Sequence, residues 1–240
     1  MASITRLGKR VFGHGAARGH IYPQAHHYGT ARGLPAGNPA AKLYVMLDTW
    51  LVGNQLLRRA QFRAASMLYG MGLRANHATA AGALIGVLSG IAFANRLNAL
   101  GLAAMWVSAA LDAIDGTIAR DFERATPMGG VLDLTSDRIV EAAVLVGIVW
   151  QSPFLGFAAL TVVASWYVNI TVFLAVGAAL ENREKLIRYP PGLLERTEAL
   201  VFFTVAIFAG RAGIGLCYAY AVLEIWTAIQ RLGFARRELR

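Results

Sequence analysis

Residues 111–138 read LDAIDGTIARDFERATPMGGVLDLTSDR, a stretch that joins two long apolar runs. Asp112 and Asp115 stand three apart at the end of the first run, and Asp133 and Asp137 four apart at the start of the second. Helical residues three or four apart share a face, so each run offers a pair of carboxylates on one side. Two antiparallel helices with a short connector would bring the acidic faces together. Four gathered carboxylates repel one another and lose hydration, and acids at or inside a membrane span mark function. Divalent cations resolve the conflict. Oxygen-only ligands suit Mg2+, Mn2+ or Ca2+, and no His or Cys stands nearby to favour zinc. Gly116 directly follows Asp115, and Gly129 and Gly130 open the second helix. Their missing side chains leave room for a ligand close to backbone, although the later pair would also serve as a turn after Pro127. Arg120 suits a phosphate partner, or else anchors the helix end.

Working outward, the chain of 240 residues is 56% hydrophobic and only 15% charged. A soluble domain carries nearer 25% charged residues, so the composition points to an all-α membrane bundle. Apolar runs predict six transmembrane helices over 76–94, 98–119, 130–151, 154–180, 193–209 and 213–230, since about 20 residues cross a hydrocarbon core. Residues 44–75 mix Leu47, Trp50, Leu51 and Phe62 with Arg58, Arg59 and Arg63, the pattern of an amphipathic helix lying in the interface. The expected organisation is a basic tail (1–43), this interfacial helix (44–75), a six-helix catalytic domain (76–230) and a second basic tail (231–240).

Six spans put both termini on one side, and the charge supports that. The net charge is +9. All of the 23 Lys and Arg except Arg96 and Arg211 fall on the side of the four aspartates, as the positive-inside rule requires of a cytoplasmic face. Basic charge is then a topology signal, and no nucleic-acid partner is expected. Residues 1–47 hold no Asp or Glu, so an organellar transit peptide is the alternative to a flexible cytoplasmic tail. His14, His20, His26 and His27 lack a metal-site spacing. Cys217, the single cysteine, is expected to be a small buried residue. Gly82, Gly86 and Gly90 form a ridge of small residues that favours close helix approach, read as packing within the fold, with a homodimer face as the alternative.

The pattern Asp112-x2-Asp115-Gly116-x2-Ala119-Arg120-x8-Gly129-x3-Asp133-x3-Asp137 resembles the signature of the CDP-alcohol phosphotransferases, with eight specified residues across 26 positions. The strong resemblance covers roughly 76–140. It implies that Asp112, Asp115 and Asp133 hold two divalent cations, Mg2+ or Mn2+, with Asp137 completing the site and acting as general base. It further implies that Gly116, Ala119 and Gly129 make room for the cytidine nucleotide and that Arg120 lies by the donor phosphate. Asn76 and Thr79 look like the family's Asn-x-x-Thr, although Ala75 stands where proline often precedes it. The reaction implied is transfer of a phosphatidyl group from a CDP-activated lipid, CDP-diacylglycerol above all, to a hydroxyl of a small polar alcohol with release of CMP.

GGVLDLTSDR and Gly192–Glu198 resemble the branch that makes inositol lipids, so the expected acceptor is inositol phosphate or inositol, with Arg138 and Arg196 as acceptor ligands. Glycerol-3-phosphate would satisfy the same cations. Glu141 continues the Asp133/Asp137 face at the next turn and is expected to support it; Glu224 has no evident partner in the sequence. A cation transporter would need polar groups reaching across the bilayer, whereas the opposite halves of spans two and three are almost wholly apolar. The expected location is a bacterial cytoplasmic membrane with the site facing the cytosol, and an organellar membrane is the lesser alternative.

Overall fold

The computed structural model describes residues 55–181, 194 and 196–239. These residues are helical, with no strand among them. The helices are α1 (Gln55–Gly70), α2 (Ala75–Ala94), α3 (Asn98–Asp121), α4 (Pro127–Gln151), α5 (Gly156–Glu181), α6 (Arg196–Phe208) and α7 (Gly213–Glu238). Short 3-10 turns, Pro153–Leu155 and Gly210–Ala212, lead into α5 and α7. The predicted runs and the helices agree closely in place. α4 begins three residues before its predicted start, because Thr126 caps it and Pro127 occupies its first turn. Thr126 Oγ1 accepts from the Gly129 amide at 3.0 Å, and proline loses nothing at a position with no helical donor to make.

Among the described residues, four spans are long and apolar enough to cross a bilayer: Ala75–Ala94, Asn98–Asp121, Pro153–Leu180 and Gly210–Glu238. The protein is therefore a membrane protein. α4 has the length, at 25 residues, but it carries Asp133, Asp137, Arg138 and Glu141. α6 has 13 residues, about 20 Å at 1.5 Å per residue, less than the hydrocarbon thickness. Of the interfacial helix expected over 44–75, residues 44–54 lie outside the described residues; the described part is α1, with Leu56, Phe62 and Met67 exposed. The basic segment expected from 231 onward continues α7 to Glu238.

Two sets of helices make the bundle. α2 packs against both α3 and α4 with little between the backbones. A side chain at Gly90 would collide with the Ala143 carbonyl, and one at Gly147 with the Gly90 carbonyl. A Cβ on Gly86 would stand 2.5 Å from Val140 and 2.8 Å from Ser108 Oγ. Two serines tie the same helices, Ser108 to the Gly82 carbonyl (2.7 Å) and Ser89 to the Gly101 carbonyl (2.9 Å). The glycine ridge is thus used inside the fold. The α2–α3 turn takes three residues, with Arg96 left-handed at φ 62°.

α5 and α7 pair through polar groups. Asn169 donates to Glu224, and Arg231 donates to Asn169 Oδ1 at 2.7 Å while lying 4.8 Å over the Phe173 ring. All three polar side chains are buried. Short α6 sits between the two sets. Phe202 stacks on Tyr220 at 4.2 Å, and Phe203 meets Trp166 edge-on. Together with Phe93, Met105, Val144 and Ile148 these form one apolar core. Outward faces carry Leu84, Leu88, Val146, Trp150, Leu160 and Val222, as lipid contact requires. Cys217 is buried.

Candidate active site

A five-residue connector, 122–126, turns α3 back into α4. It brings the last turns of α3 beside the first turns of α4, and the acidic faces meet. One carboxylate oxygen from each of Asp112, Asp133 and Asp137 lies within 4.8 Å of the other two. Hard divalent cations sit about 2.0–2.6 Å from each oxygen, so ligands sharing one ion must lie within about 5 Å of each other. The three acids fit that requirement. Asp133 is exposed and the other two half-buried, so the group opens at the end of the bundle.

Asp115 is placed differently. It is only 4% exposed, and its Oδ2 accepts a hydrogen bond from Thr79 Oγ1 at 2.5 Å. It stands outside the close trio, on the adjoining turn of α3, with its position fixed by α2. Thr79, expected near the nucleotide, thus touches an acid of the cluster. Asn76, one turn earlier, lies close to Gly129: a Cβ there would stand 3.8 Å from Asn76 Oδ1 and 3.1 Å from Thr126 Oγ1. The missing side chain leaves room for the Thr126 cap, and the start of α2 lies in ordinary contact range beyond it. The Arg120 guanidinium folds back over Gly116, where a Cβ would come within 2.9 Å of Nη1. Ala119 packs with Ala65, Ala75 and Ile118 where α1 crosses α2 and α3.

α1 holds the same end of α3. Gln61 Nε2 donates to Thr117 Oγ1 at 2.8 Å, and Phe122 lies 5.3 Å from the rings of both Phe62 and Tyr69. Neither Gln61 nor Thr117 stood out in the sequence, because their pairing spans 56 residues.

Arg196, the first residue of α6, reaches into the acids: its Nη1 pairs with both Asp112 Oδ1 and Asp137 Oδ1. The side chain is 24% exposed. Arg138 does not join it. Its guanidinium makes a two-pronged pair with Glu141, at 2.7 and 2.9 Å, so Glu141 fixes Arg138 beside the acids. Ser108, Asp137, Glu141 and Arg196 line one narrow cleft with Met105, Ala199 and Phe203. Two acids from α3, two from α4, a guanidinium from α6 and another on α4 therefore share one end of the bundle.

The model of the family described as CDP-alcohol phosphatidyltransferase matches residues 73–230. The archaetidylinositol phosphate synthase of Pyrococcus horikoshii is 31% identical over 183 residues, 74% of this chain and 91% of that protein. The phosphatidylinositol phosphate synthase of Mycobacteroides abscessus is 32% identical over 139 residues, 55% of this chain and 63% of that protein. In fold the chain is similar to the crystal structure of Mycobacterium tuberculosis phosphatidylinositol phosphate synthase with CDP-DAG bound. There the TM-score is 0.61 at 24% identity, over 74% of this chain and 94% of that one. Family match, relatives and fold agree with the paired acids: the chain belongs to the CDP-alcohol phosphatidyltransferase family.

Proposed function

We propose that this protein transfers a phosphatidyl-type group from a CDP-activated lipid to a hydroxyl of inositol phosphate, releasing CMP. The observation that carries the proposal is the meeting of Asp112, Asp133 and Asp137 at one end of a membrane bundle. The names of the two synthases support an inositol phosphate acceptor, and the CDP-DAG in the mycobacterial structure supports a CDP-lipid donor. Asp112, Asp115, Asp133 and Asp137 would hold two divalent cations, Mg2+ or Mn2+, which neutralise charge on the donor diphosphate. Every other task falls to the chain itself. Arg120, Gly116, Gly129 and Asn76 would line the nucleotide side, with the Arg120 guanidinium matching donor phosphate oxygens. Thr79 would hold Asp115 in place. Asp137 would accept the proton of the acceptor hydroxyl as that oxygen attacks the phosphorus nearest the lipid, the P–O bond to CMP breaking in line. Arg196 and Arg138 would bind the acceptor phosphate.

The membrane arrangement follows from the same chemistry. Acyl chains stay in lipid while nucleotide and acceptor arrive from water, so the acid-bearing end belongs at a headgroup plane. We read six crossings, with α4 and α6 completed by the shelter of their neighbours, both termini cytoplasmic, and a bacterial cytoplasmic membrane as the setting. Residues 76–230 are the catalytic domain, 44–75 interfacial, and 1–43 and 231–240 basic flanks. A homodimer would have to use a face other than the glycine ridge.

The test is CMP release from CDP-diacylglycerol by purified protein, with inositol phosphate, inositol, glycerol-3-phosphate and serine offered separately. Inositol phosphate should be the acceptor used, EDTA should abolish turnover, and Asp112→Ala and Asp137→Asn should be inactive yet inserted. Preference for glycerol-3-phosphate would replace the acceptor assignment, and full turnover in either variant would end the acid assignment.

A further inference from the structure

Arg196 Nη1 claims two of the three acids that fit a shared cation. A guanidinium cannot leave by losing its proton. For a divalent cation to take those oxygens, the side chain must move. The backbone that carries it is held: the Leu194 amide donates to the buried Thr227 Oγ1 at 3.1 Å, and Ala199, Phe202 and Phe203 are buried in the core. Displacement therefore belongs to the side chain alone, which is 24% exposed and swings from a fixed base.

We propose that Arg196 is an exchangeable counter-charge: divalent metal displaces it from Asp112 and Asp137, and the freed guanidinium then captures the acceptor's phosphate. Metal binding and acceptor binding are thereby coupled through one side chain. The proposal rests on the acceptor role assigned above, and it adds an order. With no metal on the acids the guanidinium is engaged and the acceptor phosphate lacks one of its two ligands, Arg138 being the other; with metal bound both needs are met. Linkage makes the coupling reciprocal, so inositol phosphate must tighten metal binding by the factor by which metal tightens inositol phosphate.

The experiment uses full-length protein in detergent with no CDP-lipid, so it reads binding and not turnover. Mn2+ affinity is measured by electron paramagnetic resonance, with and without inositol phosphate, in wild type, Arg196→Gln and Arg196→Lys. Inositol phosphate should tighten Mn2+ binding by about fivefold or more in wild type, within the usual range of such couplings. Arg196→Gln should bind Mn2+ more tightly than wild type without inositol phosphate, having no competitor to displace, and should show no coupling. Arg196→Lys keeps a mobile cation and should retain part of both effects, which protects the test should the Gln variant fold poorly. Unchanged or weaker Mn2+ affinity in Arg196→Gln overturns the proposal, as does coupling that survives in it. Either result leaves CMP release standing, whereas absent turnover with intact coupling would indict the reaction and not the exchange.

Discussion

Thr79 offers the sharpest test of how α2 serves the acids. Its hydroxyl donates to Asp115 Oδ2 at 2.5 Å, and Asp115 is 4% exposed. Water therefore cannot replace the bond cheaply. Thr79→Val keeps the shape and removes the donor. A hydrogen bond to a charged group contributes roughly 1.5–3 kcal/mol, which at 1.4 kcal/mol per decade corresponds to about 10- to 150-fold. The assay is kcat/KM for CMP release from CDP-diacylglycerol at a series of Mn2+ concentrations. Thr79→Val should lower kcat/KM by that factor and raise the Mn2+ needed for half-maximal rate, because a loosened Asp115 is a poorer ligand. Thr79→Ser, which keeps the hydroxyl, should recover most of the loss. A valine variant with unchanged metal requirement and only a higher KM for the lipid would refute this, and would return the hydroxyl to the nucleotide.

Other outcomes follow from packing. Gly90→Val or Gly147→Val drives a side chain into the facing backbone, with no rotamer to relieve it, and should cost about 1–3 kcal/mol or more. Thermal unfolding in detergent would read this, and a wild-type melting temperature would contradict the crossing. Asn169→Leu removes the amide that bonds both Glu224 and Arg231 between α5 and α7; the loss of hydrogen bonds to two charged groups, about 1.5–3 kcal/mol, should exceed that of Glu224→Gln in the same melt. Removing residues 1–40 should leave specific activity intact in correctly inserted protein, and lost activity would give the basic segment a part in the site.

Much of the site was legible because helical spacing fixes which face a residue takes. Asp112 with Asp115, and Asp133 with Asp137, needed only that rule and a short connector to be placed together. The start of α4 was written in Thr126-Pro127, a cap and a first-turn proline, but the apolar run alone put it three residues late. What stayed hidden depends on helices meeting far along the chain. Glu224 is bonded by Asn169, 55 positions away, and Asp137 by Arg196, 59 away. Charge counts place Arg196 at the correct end of the bundle, but they say nothing of which acid it touches. The neighbour of Thr79 was hidden for a similar reason: its spacing from Asn76 indicates a shared face, and only the α2–α3 crossing reveals Asp115 beside it.

The division of the bundle into a glycine-packed trio and a polar-bonded pair, bridged by α6, separates two kinds of change. Substitutions on α7, whose Thr227 holds the Leu194 amide, can reshape the neighbourhood of Arg196 without disturbing the packing of α2 on α3 and α4. Under the acceptor role proposed for Arg196, a lineage could in this way trade one polar alcohol for another while leaving-group chemistry stays as it was. The same partition marks where an engineer would cut: helices after residue 156 are the ones to exchange, and the acid hairpin is the part to leave alone.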